Sequence, residues 1–131
     1  MHKGYLVTGV ILAALAVALG AFGAHGLQKL VSDEKIIQDF HTGVLYQMIH
    51  ALAVIVTAVI YRQYSNKKVK WAGFCFISGI LLFSGSLYLI TLLKITEYKI
   101  TGLTGLLTPA GGLFLLSGWA MLAWGIIGSK N

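Results

Sequence analysis

The residues best suited to chemistry are a glutamine and a histidine inside an apolar run. Gln47 and His50 belong to a stripe that recurs every three to four residues, which is the spacing of one helix face. Its members are Gly43, Gln47, His50, Ala53 or Val54, and Thr57. His50 lies about eight residues inside the predicted second span, roughly 12 Å deep at ~1.5 Å per residue. A buried imidazole of this kind can bind a proton, an ion, a ligand, a metal or haem. It can equally remain neutral and join helices by a hydrogen bond.

Hydroxyl groups in the next apolar run are the expected partners of this stripe. Ser84, Ser86 and Tyr88 lie in one stretch, and together with Gln47 and His50 they form the candidate intramembrane polar site. The sequence alone leaves open whether this site serves structure or transport.

A second group of side chains resembles metal ligands more weakly. His25 and His41 are both expected at the outer membrane surface, near Glu34 and Asp39. No regular spacing fixes their geometry, as a His-x-x-x-His pair on a helix would. The sequence also has no Ser-His-Asp order, phosphate-binding loop or Cys-x-x-Cys. We therefore expect no catalytic residue, no metal, no cofactor and no enzymatic activity.

Composition determines the class of protein in which these residues lie. The chain has 131 residues, of which 57% are apolar and 11% charged, and its mean hydropathy is +0.82. A soluble domain is about half apolar and a quarter charged, so a soluble enzyme, a disordered tail and a nucleic-acid-binding module are excluded. Four stretches reach the length of about 20 residues that a membrane span needs. They cover residues 5–27, 42–61, 71–93 and 109–127.

These stretches predict a single-domain, all-α, polytopic membrane protein with four transmembrane helices in a compact bundle. Ser32 is expected to cap a short helix that lies along the membrane surface before the second span. Thr108 and Pro109 are expected at the N-cap and first position of the fourth span, where proline is tolerated.

The charges predict orientation. The formal net charge is +6, and the positive residues lie in short connections, where contact with anionic lipid explains them better than nucleic acid does. Four spans bring both termini to one side of the membrane. That side carries six positive residues, namely Lys3, Arg62, Lys67, Lys68, Lys70 and Lys130. The other carries four, namely Lys29, Lys35, Lys94 and Lys99. Because positive residues favour the cytoplasm, both termini are predicted to be cytoplasmic.

Small residues predict where helices approach closely. Gly20 and Ala24 have small-xxx-small spacing in the first span, and Gly111, Gly118 and Gly125 are seven residues apart in the fourth. Such faces let helices pack in lipid. They serve either packing within the chain or contact between subunits.

Four stretches together resemble a known family. They are Gly20-Ala21-Phe22-Gly23-Ala24-His25-Gly26-Leu27, Tyr46-Gln47-Met48-Ile49-His50-Ala51-Leu52-Ala53, Leu82-Phe83-Ser84-Gly85-Ser86-Leu87-Tyr88, and Thr108-Pro109-Ala110-Gly111-Gly112 with Gly118-Trp119. In this order they resemble the small bacterial membrane proteins of the YgdD/YwdK type (domain of unknown function 423). The resemblance implies a four-helix protein of the bacterial inner membrane. It provides no catalytic residues.

The leading hypothesis is a non-enzymatic membrane protein that contacts lipid and acts as a homo-oligomer or as a scaffold for another membrane protein. The alternative is a small transporter or channel that uses the stripe around His50 and Gln47. A third reading, an intramembrane enzyme or redox carrier, needs a cofactor that the sequence does not indicate.

Overall fold

A computed structural model describes residues 1–99 and 102–129, and over these residues the protein is helical with no strand. The four long helices are α1 (Lys3–His25), α2 (Glu34–Ile60), α3 (Lys67–Ile95) and α4 (Gly102–Ile127). A single 3-10 turn, Leu27–Lys29, follows α1. Each long helix is apolar enough and long enough to cross a membrane. The predicted all-α fold with four membrane-spanning helices is confirmed.

The second helix begins earlier than the predicted span. Asp33 caps it by accepting a hydrogen bond from the backbone N–H of Lys35 at 3.1 Å, so the cap is Asp33 and not Ser32. The helix then continues without a break from Glu34 to Ile60. The expectation of a separate helix along the membrane surface was therefore wrong, because its residues form the first two turns of α2.

The fourth helix also begins earlier, at Gly102 instead of Pro109, and Pro109 lies inside it. The expected cap at Thr108 was therefore wrong. A proline inside a helix has no N–H for the carbonyl four residues before it. Transmembrane helices tolerate this because neighbouring helices and Ser or Thr side chains satisfy the freed backbone groups.

Helices that are neighbours in sequence form the main interfaces: α1 with α2, α2 with α3 and α3 with α4, the last being the most extensive. At one end, here called the hairpin end (residues 1–5, 61–70 and 125–129), three contacts join separate segments. The His2 N–H donates to the Ala58 carbonyl at 3.0 Å, and the Tyr5 hydroxyl donates to the Lys70 carbonyl at 2.8 Å. Asn66 caps α3 and donates to the Gly125 carbonyl at 2.9 Å. The start of α1, the α2–α3 connection and the end of α4 therefore meet.

The first and last helices, α1 and α4, pack through small residues. The buried residues of α1 are Gly9, Ala16 and Gly23, seven residues apart, and α4 buries Gly111, Gly118 and Gly125 at the same spacing. The larger buried side chains come mostly from the inner helices, with Val54, Val69 and Phe76 near the hairpin end. Because lipid is as apolar as a leucine side chain, close backbone approach replaces the hydrophobic effect as the source of packing energy.

Candidate functional site

The predicted polar stripe is the buried face of α2. Gly43, Gln47, His50 and Thr57 are all buried, together with Ala53 and Val54 between them. The Thr57 hydroxyl donates to the Ala53 carbonyl of its own helix at 2.7 Å, so this bond does not join α2 to another helix. Gln47 and His50 are the two members of the stripe whose side chains bond to other helices.

Gln47 joins three helices. Its Nε2 donates to the Leu12 carbonyl of α1 at 2.8 Å, and its Oε1 accepts from the Tyr88 hydroxyl of α3, also at 2.8 Å. The structure thus brings together two of the predicted site residues, Gln47 and Tyr88. Amide donor and acceptor are both used, so this side chain fixes α1 and α3 on either side of α2.

His50 has both ring nitrogens bonded. Nδ1 lies 2.8 Å from the Tyr46 carbonyl one turn earlier, and Nε2 lies 3.1 Å from Nε1 of Trp119 in α4. A carbonyl only accepts and an indole N–H only donates, so Nδ1 carries the hydrogen and Nε2 is the acceptor. The contacts therefore define a neutral imidazole of one tautomer. Its ring also packs beside Phe76 of α3, with ring centres 5.8 Å apart.

The predicted serines lie elsewhere. The Ser84 hydroxyl donates to the Gly43 carbonyl at 2.6 Å and joins α3 to α2. Ser86 lies 2.6 Å from the Thr108 hydroxyl and joins α3 to α4. None of the hydrogen bonds of His50 goes to a serine. The five predicted site residues therefore form four separate bonded groups: Gln47 with Tyr88, His50, Ser84 and Ser86, the last three each with a partner outside the predicted set.

Sequence reasoning missed two partners, Trp119 and Thr108. A tryptophan in an apolar span resembles an interface aromatic. The only signal for a deeper role is that an indole N–H within a membrane span needs an acceptor. Thr108 was assigned to a helix cap, where its hydroxyl would have bonded locally.

The buried polar side chains are satisfied by hydrogen bonds. Over residues 1–99 and 102–129, no buried side-chain nitrogen or oxygen is without a hydrogen-bond partner. Buried polar groups that are bonded between helices hold those helices in register. Chemically, the site is a set of neutral donors and acceptors that satisfy one another.

The weaker metal candidates are not brought into a cluster. His25 and His41 are both exposed, and the described part of the chain contains no group of three His, Cys, Asp or Glu side chains able to hold a metal ion. The nearby acids pair with lysines instead: Asp39 with Lys35 at 2.6 Å and Asp33 with Lys94 at 3.9 Å.

The predicted packing residues differ in their surroundings. Gly111, Gly118 and Gly125 are buried against α3, where an added Cβ would meet the Phe83 backbone, the Phe76 ring and Val69 respectively. Gly20 is half-buried beside Val44, and Ala24 is exposed. The glycines of α4 therefore pack within the chain, whereas α1 packs through Gly9, Ala16 and Gly23.

The sequence of the chain is similar to those of known membrane proteins. The family described as "Protein of unknown function (DUF423)" matches residues 19–112. The UPF0382 membrane protein YwdK of Bacillus subtilis is 42% identical over 121 residues, covering 92% of this chain and 93% of the relative. A UPF0382 membrane protein of Staphylococcus aureus is 40% identical and covers 92% of both chains.

The relatives extend beyond bacteria. A UPF0382 membrane protein of the yeast Schizosaccharomyces pombe is 40% identical over 108 residues, covering 82% of this chain and 88% of the relative. No solved structure matches the chain. Both the family match and the relatives span most of the sequence, and the relatives carry the same description as membrane proteins. The chain therefore belongs to the DUF423 (UPF0382) family of membrane proteins.

Proposed function

We propose that the protein is a non-enzymatic membrane scaffold whose polar residues hold its helices together. The observation that carries the proposal is the bonding of His50, in which one ring nitrogen faces the Tyr46 carbonyl and the other accepts from Trp119. A proton carrier or ligand site needs a nitrogen free to exchange its partner. An imidazole held on both sides by a carbonyl and an indole serves packing.

Gln47 supports the same conclusion. Its amide joins the Leu12 carbonyl and the Tyr88 hydroxyl, so it ties three helices with a single side chain. Interhelical hydrogen bonds in membranes average about 0.6 kcal/mol each, so several such bonds are needed to define one arrangement of four helices. The scaffold has them at α1–α2, α2–α3, α2–α4 and α3–α4.

We also propose that the protein contacts a second copy of itself or another membrane protein through its first or last helix, α1 or α4. Gly111, Gly118 and Gly125 pack on α3 and are not free for another subunit. The face of α1 opposite its buried stripe carries exposed small residues such as Ala14 and Ala21. This face lets a second helix approach closely from the bilayer.

Cross-linking in native membranes tests the oligomer. In a Cys75→Ser background, Ala14→Cys should give a disulfide-linked dimer, whereas Leu81→Cys, exposed on α3, should not. The matched control separates a specific contact from random collision, because both cysteines face lipid. A monomer in lipid discs together with equal, weak cross-linking at both positions contradicts the homo-oligomer.

A small transporter is the second candidate, and one feature favours it. A cavity of about 380 Å³ between α1 and α3 reaches Gln47 and Tyr88. Its other lining residues are apolar, which suits an ion poorly, and His50 is not among them. Ion and proton flux into proteoliposomes should therefore equal that of empty vesicles. Flux that disappears in Gln47→Leu would support transport over the scaffold.

We also propose a location in the bacterial inner membrane with both termini in the cytoplasm. The hairpin end carries five positive residues, namely Lys3, Arg62, Lys67, Lys68 and Lys70. All four acidic residues lie toward the other end. Lys130 belongs to the same side in the charge count but lies outside the described residues. An excess of positive residues favours the cytoplasmic side.

A further inference from the structure

The hairpin end contains a second cavity, separate from the polar site. It has a volume of about 410 Å³ and is lined by Tyr5 of α1 and by Lys67, Lys70, Trp71 and Phe74 of α3. This volume lies within the range of about 300–1,000 Å³ that is usual for ligand pockets. The residues from α3 recur every three to four positions and therefore lie on one helix face.

The two lysines of this cavity have no acidic partner. Both are exposed, and over residues 1–99 and 102–129 the salt bridges, Lys35 with Asp39 and Lys94 with Asp33, are at the opposite end of the protein. Lys68 is engaged differently, with its Nζ 3.7 Å from the centre of the Trp124 ring. Lys67 and Lys70 thus present two ammonium groups at the rim of one cavity.

The remaining lining is aromatic. Trp71 and Phe74 follow the lysines by one turn toward the middle of α3, and their rings meet edge to face with centres 5.4 Å apart. Tyr5 borders the cavity from α1, and its hydroxyl is fixed by the hydrogen bond to the Lys70 carbonyl. From the end of the helix inward, the cavity therefore changes from cationic to apolar.

We propose that this cavity binds an anionic phospholipid of the surrounding membrane. The ammonium groups of Lys67 and Lys70 would donate to phosphate oxygens, and the start of the acyl chain would lie against Trp71 and Phe74. Basic pockets at the membrane surface bind lipid headgroups in this way. A soluble anion would use the lysines alone, whereas an amphiphile would use the lysines and the aromatic floor together, so the lining favours an amphiphile. The proposal stands whether or not the protein forms oligomers.

Native mass spectrometry of the purified protein in detergent tests the site, with phosphatidylglycerol and phosphatidylcholine as probes. Wild-type protein should bind phosphatidylglycerol more tightly. Lys67→Gln combined with Lys70→Gln should weaken that binding roughly thirty-fold, since each lysine near a membrane surface contributes about five-fold. Binding of phosphatidylcholine should change little. Trp71→Ala should weaken binding of both lipids, because it removes the apolar contact and no charge.

The matched control is Lys3→Gln combined with Arg62→Gln, which removes two charges from the same end but none from the cavity lining. This variant should keep the wild-type preference. Equal losses in the two double variants would mean diffuse surface attraction and would overturn the site. Equal affinity of wild-type protein for both lipids would also overturn it. Displacement of the lipid by inorganic phosphate at similar concentration would identify a soluble anion as the ligand instead.

Discussion

Nε1 of Trp119 lies 3.1 Å from Nε2 of His50, and this hydrogen bond joins α4 to α2, two helices that do not share a main interface. Phe76 of α3 lies against both rings, with centre-to-centre distances of 5.8 Å to His50 and 5.0 Å to Trp119. The bond therefore passes beside α3 and fixes the position of α4 relative to the first half of the chain. In this contact the histidine is the acceptor.

The stability of His50 variants should depend on whether the new side chain places an acceptor where Nε2 of His50 lies. Glutamine places an amide oxygen about as far from the backbone as Nε2, so His50→Gln should keep the bond to Trp119. His50→Asn is too short to reach it, and His50→Leu has no acceptor. These two should be destabilised by about 1–2 kcal/mol, because the Trp119 N–H then has no acceptor within the bilayer. Thermal unfolding in detergent measures the difference.

A double-mutant cycle with Trp119→Phe is the control. Because phenylalanine has no N–H, His50→Leu should cost less in that background than in the wild type. Nitrogen NMR of wild-type protein should find the hydrogen on Nδ1. A hydrogen on Nε2, or equal tolerance of glutamine, asparagine and leucine, would contradict the assigned bond.

Two adjacent glycines of α4 should respond oppositely to alanine. A Cβ at Gly111 would collide with the backbone of Phe83, which cannot move aside, whereas a Cβ at Gly112 would lie 3.9 Å from the nearest atom of the Phe83 ring. Gly111→Ala should destabilise the protein by about 1–3 kcal/mol, the usual cost of overpacking. Gly112→Ala should be neutral or slightly stabilising, because alanine favours helix. Equal melting temperatures of the two variants would mean that α4 packs through another face.

The packing of α1 predicts a second matched pair. A Cβ at Gly9 would lie 2.7 Å from Cγ1 of Ile55 and 3.0 Å from the Ala51 carbonyl oxygen, so both side chain and backbone oppose it. At Gly20 the nearest atom is Cγ1 of Val44, at 3.3 Å, which can shift slightly. Gly9→Ala should lower stability by about 1–3 kcal/mol, and Gly20→Ala should be close to neutral. Chemical unfolding in detergent compares them, and a larger loss at Gly20 would show that α1 is rotated differently.

The orientation proposed above predicts different access to two loop positions. In a Cys75→Ser background, Ser65→Cys at the hairpin end should be protected from an impermeant thiol reagent added to intact cells. Thr96→Cys, at the end of α3, should be labelled. Both residues are exposed in the structure, so accessibility reports the side of the membrane rather than burial. The reverse pattern would place the termini outside.

The buried face of α2 could be predicted from the sequence, because polar residues are rare in spans and Gln47 and His50 mark one face by their spacing. The partners could not, because partner choice depends on how far each helix slides and rotates against the next. The serines of α3 were reasonable candidates for His50, but the register of α3 aims Ser84 at the Gly43 carbonyl and leaves His50 to Trp119.

The first helix illustrates a second limit. It contains so many glycines and alanines that several faces satisfy a small-residue pattern, and the predicted pair Gly20 and Ala24 was one of them. The face used is instead the one with Gly9 and Gly23, since Ile55 and Phe40 of α2 fill the space above these positions. For α4, Thr108 and Pro109 resemble a helix start in water, but in lipid the chain gains from remaining helical and the helix begins at Gly102.

Each helix after the first packs on the helix that precedes it in the sequence, and this order has a consequence for biosynthesis. Contacts that are local in sequence form without a long search. As the ribosome extends the chain, α2 finds α1 already in the bilayer, and α3 then finds α2. No helix has to wait unpaired for a distant one. The bond between Trp119 and His50 skips α3, so it closes only after the last helix has entered the membrane.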